Sequence, residues 1–252
     1  MISPVLSVSV KTDAGIIRKN NEDYAGFLIP VESDKLNQYG SIFVVADGVG
    51  GSEKGEIASK LTVETIINSY YMMPLEILPE ERLKKSFEKA NDTVISKSME
   101  LRSKSMSSTA VCAVVIGDSA YIGNVGDSRA YLIKIEKTVI QQITFDHSLV
   151  AEQVRMGILT KEQAKYDLNR NIITRAIGVE PTIQVDLFNL DLIKGDKLLL
   201  CSDGLVRVVE DNEIFNVVSS SSIEEATSQL INLANSRDGP DNITVCLVSI
   251  EP

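Results

Sequence analysis

Residues 41–52, SIFVVADGVGGS, constrain this chain more than any other stretch. Five apolar residues run from Ile42 to Ala46 and lead directly into Asp47 and Gly48. Such a β-branched apolar run predicts a buried strand, and the Asp-Gly pair predicts that the strand ends there in a turn. A carboxylate at the end of a buried strand loses part of its hydration, so it needs a cation or a hydrogen-bond donor.

Two interpretations of Asp47 are open at this point. In the first, the glycines at 48, 50 and 51 allow positive φ and bring backbone carbonyls close to whatever the carboxylate holds. In the second, Asp47-Gly48 is a hairpin turn between two strands. The local sequence does not decide between them.

Size and composition predict one globular domain over residues 1–252, because the chain has no linker-like tract and 44% of its residues are hydrophobic. The serine run at 219–222 is too short for a linker and is expected to join two helices. The formal net charge of -10 argues against a nucleic acid or an anionic membrane as partner.

The start of the chain and its apolar runs predict a cytoplasmic location. The opening MISPVLSVSV lacks a basic leader and predicts a strand instead of a signal peptide. No apolar run approaches the roughly 20 residues that cross a bilayer. Cys112, Cys201 and Cys246 each lie in an apolar run, which predicts buried thiols in a reducing compartment.

The histidine content limits the kinds of metal site that are available. The chain has one histidine, His147, and no cysteine pair with metal-binding spacing, so a zinc site of the usual kind is excluded. A metal site in this chain must therefore use oxygen ligands, which favours Mg²⁺ or Mn²⁺.

The order of elements predicts an α+β fold with two mainly antiparallel sheets packed face to face and helices on their outer faces. Along the chain, the spacing of the apolar residues is typical first of strands, then of two long helices, then of strands again, and finally of two helices and a last strand. Strands are predicted at 6–11, 24–30, 41–47, 108–117, 120–126, 129–135, 138–144, 183–190, 197–202 and 243–250, and helices at 53–71, 79–101, 211–218 and 223–237. A polar, helix-prone insertion, the flap, is predicted at about 145–170.

Three further aspartates have sequence positions like that of Asp47. Asp203 follows the apolar run LLLCS and precedes a glycine, Asp241 comes just before the last strand, and Asp127 follows a short strand. Any one of them is more often a turn former or a helix cap than a ligand. If the four meet at one edge of a sandwich, their repulsion requires cations between them.

The ordered series of short motifs resembles the metal-dependent Ser/Thr protein phosphatases, the protein phosphatase 2C-like family, and in particular its compact bacterial members that reverse Ser/Thr kinases. Each motif is weak alone, but the set is specific and covers nearly the whole chain: RKNNED at 18–23, DGVGG at 47–51, GDSR at 126–129, DHS at 146–148, ITRAIG at 173–178, CSDGL at 201–205 and DNITV at 241–245. The resemblance implies a four-layer α-β-β-α sandwich with a two-metal centre at one end of the central sheets.

The resemblance also implies the ligands of two Mn²⁺ or Mg²⁺ ions. Asp47 would bridge both ions and the carbonyl of Gly48 would bind the first. Asp203 and Asp241 would bind the second ion. Two such ions, about 3.5–4 Å apart, hold a bridging water or hydroxide that attacks the phosphoryl group.

The same resemblance implies roles for five other residues. Glu22 would hold water on a metal ion, with Asp23 hydrogen-bonded nearby, and Asp127 would complete a third, weaker ion site with Asp203. Arg18 would grip the substrate phosphate through its bidentate fork. The alternative for Arg18 is a surface salt bridge to Glu22 at i+4. Asn242 would orient Asp241 or a bound water.

The chain departs from the family pattern near the predicted centre. Family members place a histidine directly after the Asp-Gly pair or a few residues on, where this chain has Val49 and Ser52. Without that general acid, protonation of the leaving group falls to water. The usual Met-Gly-Thr-Thr is here MSST at 106–109, which predicts an altered turn. For His147, in the flap, a structural role is favoured over a catalytic one.

The sequence therefore predicts a monomeric cytoplasmic signalling enzyme that hydrolyses phosphoserine and phosphothreonine in proteins. Its expected partners are a Ser/Thr kinase and the substrates of that kinase, with neither nucleic acid nor membrane involved. One alternative is a partner-switching phosphatase that acts on one phosphorylated regulator. Another is an inactive module that binds phosphoproteins, which predicts missing ligands, and none is missing from the motifs.

Overall fold

The computed structural model describes residues 4–49, 54–103 and 105–251. Within this part of the chain, strands numbered in chain order form two sheets in which all neighbouring strands are antiparallel. The first sheet has the spatial order β1 (Leu6–Asp13), β11 (Ile243–Ile250), β10 (Asp196–Cys201), β7 (Arg129–Lys134) and β8 (Val139–Gln142). The second has the order β2 (Asp23–Leu28), β3 (Ser41–Val49), β5 (Ala110–Ile116), β6 (Ser119–Val125) and β9 (Asp186–Asp191), with β4 (Ser107–Ser108) beside β3.

Helix pairs cover the outer faces of both sheets. The long helices α2 (Gly55–Met72) and α3 (Pro79–Glu100) pack on the second sheet, and α7 (Asp211–Ser220) and α8 (Ile223–Asn235) pack on the first. Pro79 begins α3, where its missing N–H costs nothing. The shorter helices are α1 (Ser33–Tyr39), α4 (Leu149–Arg155), α5 (Lys161–Tyr166) and α6 (Asp203–Val206).

Three apolar layers hold the sandwich together. Along β3, Ile42 and Val44 pack under α2 and α3, whereas Phe43 and Val45 pack against the other sheet. The strand β11 alternates in the same way between the α7–α8 layer and the layer between the sheets. Both faces of these central strands are covered, which is why residues 42–46 and 245–248 are continuous apolar runs instead of alternating ones. The predicted four-layer α-β-β-α sandwich is confirmed.

The cysteines are buried free thiols, as predicted, and each belongs to a different apolar layer. Cys112 lies under α2 and α3, Cys201 under α7 and α8, and Cys246 between the sheets. Burial raises the pKa of the Cys201 and Cys246 thiols to about 12. These thiols therefore contribute packing and no reactive thiolate.

Several predicted elements agree with the structure within a few residues, and one expectation is wrong. The strand that carries Asp47 does not end there, because β3 continues to Val49 and pairs with β4. The apolar pattern does not predict α1, because this helix has only seven residues and most of them are polar. The predicted helix at 53–71 is α2 from Gly55 onward, and residues 50–53 lie outside the described part of the chain.

The described flap contains two short helices, α4 and α5. Ser148 caps α4 and Thr160 caps α5, and Lys165 of α5 reaches Glu210, the cap of α7, at 2.8 Å. The serine run at 219–222 ends α7, and Ser222 caps α8 in a capping box with Glu225. No helix among the described residues has both the length and the apolar character needed to cross a membrane.

Truncation of Phe43 tests whether the layer between the sheets supports the fold. Phe43 is fully buried there and stacks on Phe27, its cross-strand partner, which is 45% exposed. We expect Phe43→Ala to lower the free energy of unfolding by about 3–5 kcal/mol and Phe27→Ala to lower it less. Urea unfolding followed by circular dichroism measures both, and Phe43→Leu replaces the alanine variant if that does not fold. Equal losses at the two positions would contradict the assignment of the layer.

Candidate metal centre and active site

An open cavity of about 400 Å³ lies where five segments of the chain meet. The segments are the loop before β2, the end of β3, residues 171–173, α6 with the residue after it, and the residues just before β11. The cavity is lined by Arg18, Lys19, Asn20, Glu22, Asp47, Gly48, Val49, Asn171, Ile173, Asp203, Arg207, Asp241 and Asn242. The structure thus brings together Asp47, Asp203 and Asp241, which are distant in the sequence.

Asp47 is held by backbone pairing on both sides. Its strand partner on β2 is Asp23, and its N–H donates to Thr109 Oγ1 at 3.0 Å. Its carbonyl accepts from the Thr109 N–H at 2.8 Å and from Ser108 Oγ at 3.0 Å. The hairpin interpretation of Asp47-Gly48 is therefore wrong, because the residues lie inside a strand. The MSST segment forms β4 here and supports Asp47.

Gly48 is required for close approach and not for an unusual backbone conformation. Its φ is not positive, so that part of the first interpretation is wrong for Gly48, while Gly50 and Gly51 lie outside the described residues. A Cβ on Gly48 would collide with the backbone of Gly55 at the start of α2. Gly204, in the second Asp-Gly pair, would likewise collide with the Asn242 carbonyl. Both glycines let chain segments meet beside the carboxylates.

Two guanidinium groups face the carboxylates in the cavity. Arg18 pairs with Asp241 in a bidentate way, with Nε–Oδ1 and Nη2–Oδ2 distances of 2.9 Å. Arg207 contacts Asp203 Oδ2 and, at 3.0 Å, Asp241 Oδ2. The predicted alternative, a surface pair between Arg18 and Glu22, is wrong, because the guanidinium of Arg18 turns to Asp241.

Asn242 organises the loop before β2. Its Oδ1 accepts from the Glu22 N–H at 2.8 Å, and its Nδ2 donates to the carbonyls of Ala14 and Asn20 at 2.9 and 2.8 Å. Asn242 also contacts Asp241, because its backbone N–H donates to Asp241 Oδ1 at 3.0 Å. The side chain instead places Glu22 at the cavity.

Asp23 lies behind the cavity and is 5% exposed. Ser202 Oγ donates to Asp23 Oδ2 at 2.6 Å and accepts from the Thr244 N–H at 2.9 Å. Burial, with the nearby charges of Asp203 and Asp241, raises the pKa of Asp23 to about 7, although the bonds from Ser202 and Thr244 oppose this. The predicted position of Asp23, hydrogen-bonded beside the centre, agrees with this geometry.

The other carboxyl groups influence one another strongly. Burial and then the charges of Asp23, Asp203 and Asp127 raise the pKa of Asp47 well above its usual range. Burial also raises the pKa of Asp203, against the effect of Arg207. Asp127 does not line the cavity, but burial and the charge of Asp203 raise its pKa as well. These shifts show that the acids lie within electrostatic reach of each other.

The donor set of the cavity suits hard divalent cations. Every side chain that offers a ligand atom there is an oxygen donor. Among the described residues, the buried carboxylate oxygens without a hydrogen-bond partner include Asp203 Oδ1 at the cavity, and Asp23 Oδ1 and Asp127 Oδ1 behind it. Buried anionic oxygens without donors are costly unless a cation meets them. Across the described residues, no group of three His, Cys, Asp or Glu side chains is arranged to hold an ion as it stands. The guanidinium groups of Arg18 and Arg207 already contact the oxygens of Asp203 and Asp241.

His147 has a structural environment, as favoured from the sequence. It is fully buried and does not line the cavity. Its Nδ1 accepts from the Gly126 N–H at 3.1 Å, so the proton lies on Nε2, which contacts Asp186 Oδ2 at 3.1 Å. Burial lowers the pKa of the ring. His147 therefore fixes the turn that carries Asp127, and Val49 lines the cavity.

Sequence reasoning missed several residues of the site. Arg207 lies four residues after Asp203 on a helical turn, and this i,i+4 spacing was a usable signal. Asn171 and Ile173 line the cavity just beyond the predicted end of the flap. Thr109 and Ser202 gave no local signal, because their partners lie 62 and 179 residues away.

Comparisons with known proteins agree with this arrangement. The protein phosphatase 2C family model matches residues 12–243. A serine/threonine phosphatase stp of Listeria monocytogenes is 38% identical over 243 residues, which covers 94% of this chain and 93% of the relative.

Two solved structures are similar over nearly their whole lengths. Serine/threonine phosphatase Stp1 from Staphylococcus aureus has a TM-score of 0.89 and 35% identity, with 100% of this chain and 97% of that chain covered. The catalytic domain of serine threonine protein phosphatase PstP, solved with two manganese ions, has a TM-score of 0.83 and 28% identity, with 98% and 99% covered. The match over most of the chain, together with the geometry of the cavity, shows that the chain belongs to the protein phosphatase 2C family.

Proposed function

We propose that this chain is a protein-serine/threonine phosphatase that hydrolyses phosphoserine and phosphothreonine in proteins with bound divalent cations. The observation that carries the proposal is one cavity in which Asp47, Asp203 and Asp241 lie beside the guanidinium of Arg18. Carboxylates that converge require cations, and a phosphate dianion requires them too. The Ser/Thr phosphatase names of the relatives and their membership of the same family support this function.

The proposed cation ligands are the oxygens that line or approach the cavity. Asp47 would be a ligand common to two ions, the Gly48 carbonyl would hold the first, and Asp203 and Asp241 would hold the second. Glu22, which also lines the cavity, would hold water on a cation. When bound, the cations supply charge neutralisation at the phosphoryl oxygens and a water nucleophile at neutral pH.

Arg18 is the proposed phosphate-binding residue. Its side chain lines the cavity and is 51% exposed, while its Nε and Nη2 hold Asp241. A planar fork of this kind matches two phosphate oxygens. Asp23 supports the centre from behind through Ser202, and Asn242 holds the loop that presents Arg18 and Glu22.

The cellular setting is proposed from the same grounds. We infer a cytoplasmic signalling role in which the phosphatase acts as a monomer on a Ser/Thr kinase and the substrates of that kinase. Mn²⁺ is supported by the manganese-bound relative, and Mg²⁺ offers the same preference for oxygen ligands. A third ion, held by Asp127 with Asp203, is proposed from the unpartnered Asp127 Oδ1.

The replacement Asp203→Asn tests the centre. We expect hydrolysis of a phosphothreonine peptide with Mn²⁺ to fall by more than about 100-fold, since even the outer partners of metal ligands have effects of about this size. In chelator, Asp203→Asn should unfold at the same temperature as the wild type or at a higher one. Burial raises the pKa of Asp203, so its ionised form destabilises the folded state, and the replacement removes that charge. Kinetics with Mn²⁺, Mg²⁺ or chelator and thermal melts measure both effects. Full activity in chelator, or in Asp203→Asn, would contradict the mechanism.

A matched pair of aspartates tests the third ion. The tripeptide Gly-Asp-Ser occurs twice, and Asp118 lies exposed in the β5–β6 turn whereas Asp127 is buried beside the centre. We expect Asp127→Asn to lose the weakest Mn²⁺ per chain in a calorimetric titration and Asp118→Asn to behave as the wild type. If the wild type, Asp127→Asn and Asp118→Asn bind the same number of Mn²⁺ ions per chain, Asp127 is not a ligand.

Ser202→Ala tests the support behind the cavity. The change leaves Asp23 without its hydroxyl donor and the Thr244 N–H without its acceptor, so the free energy of unfolding should fall by about 1–3 kcal/mol. Ser219→Ala, on the exposed end of α7, is the control and should change it by less than about 0.5 kcal/mol. Urea unfolding in chelator is the measurement, and equal stability of both variants would contradict the role of Ser202.

A further inference from the structure

Arg207 has a position in the centre that none of the proposed roles uses. It directly follows α6, and its N–H bonds the carbonyl of Asp203 at 2.9 Å, so its backbone is fixed beside the second Asp-Gly pair. Its side chain turns back into the cavity and is 28% exposed. The guanidinium can therefore leave the carboxylates without unfolding the helix that carries it.

The contacts of Arg207 fall on the oxygens proposed to hold the second cation. One guanidinium bridges Asp203 Oδ2 and Asp241 Oδ2. A Mg²⁺ ion needs its ligand oxygens at about 2.0–2.1 Å in near-octahedral geometry. The guanidinium group between these two oxygens fills the space in which such an ion would contact both. Asp203 Oδ1 is buried without a partner, so the pair does not satisfy this carboxylate fully.

The charges in this part of the cavity explain why an arginine is tolerated there. Asp203 and Asp241 repel each other, and a positive charge between them lowers that cost. Arg207 is a permanent monovalent cation, whereas a divalent ion carries twice the charge in a smaller volume. Both cations stabilise the same pair of acids, so binding of one opposes binding of the other.

We propose that Arg207 competes with a divalent cation for Asp203 and Asp241, and thereby sets the cation concentration at which the centre fills. The inference rests on the proposed function, because it takes these two acids as cation ligands. The inference gives a role to Arg207, which is proposed neither as a cation ligand nor as a substrate contact. A purely structural role makes the opposite prediction, since loss of an ordering contact would weaken cation binding.

The test is a calorimetric titration of MnCl₂ into chelator-treated, desalted full-length protein without substrate. We expect Arg207→Gln to bind the tighter Mn²⁺ ions with a Kd at least about tenfold lower than the wild type, equivalent to about 1.4 kcal/mol. Arg207→Lys, which keeps the charge but not the bridging fork, should fall between them. The control is Arg237→Gln, because Arg237 pairs with Glu213 outside the cavity, and its Kd should match the wild type.

Thermal melts give a second readout that does not depend on activity. In chelator, Arg207→Gln should melt below the wild type, because the acids lose their counter-charge. Its rise in Tm on addition of Mn²⁺ should be larger than that of the wild type, as expected for tighter binding to the folded state.

The outcomes separate this inference from the proposed function. Equal or weaker Mn²⁺ binding by Arg207→Gln, with a wild type that binds Mn²⁺ and hydrolyses a phosphothreonine peptide, overturns the competition and leaves the function intact. Failure of the wild type and every variant to bind Mn²⁺ contradicts the metal centre itself, and the inference with it.

Discussion

Repulsion among buried carboxylates is the constraint on which the organisation of this protein depends. Asp23, Asp127 and Asp203 are each almost fully buried within electrostatic reach of Asp47. Burial and neighbouring negative charge both disfavour the ionised form, which is why their pKa values rise. A fold that collects acids in this way is tolerable only where cations or protons offset the charge, and this requirement links the architecture to its chemistry.

The sandwich supplies the rigid frame that holds the acids together. Strands β3 and β10 belong to different sheets, are covered on both faces and lead to Asp47 and Asp203. Close-packed layers resist displacement, so the carboxylates cannot move apart to relieve their repulsion. The glycines at 48 and 204 allow neighbouring backbone to approach closely at the same places. The packed frame and the two glycines therefore keep the carboxylates close together.

Arginines are the counter-charges that the chain itself provides. Arg18 is half exposed, whereas Arg207 is more enclosed and bridges two acids. The two guanidinium groups share Asp241, so a change in the partners of one affects the other.

The sequence by itself determined the layers and the chemistry of the donor set. The apolar run at 42–46 predicted a buried strand, the pattern at 243–250 predicted a last strand, and the single histidine favoured oxygen ligands for any metal site. The ordered motifs predicted that Asp47, Asp203 and Asp241 meet, and the structure places all three at one cavity. These features are local, because strand period and residue type are set by neighbours along the chain.

The tertiary structure decided which groups touch. Pairing of Arg18 with Asp241, of Ser202 with Asp23 and of Thr109 with Asp47 depends on packing of segments far apart in sequence. The extension of β3 past Asp47 likewise depends on its partner β4, since a strand continues only while another chain segment satisfies its backbone hydrogen bonds. The local sequence pattern predicts a strand or helix and the chemistry of its residues. Which groups contact each other depends on how the whole chain packs.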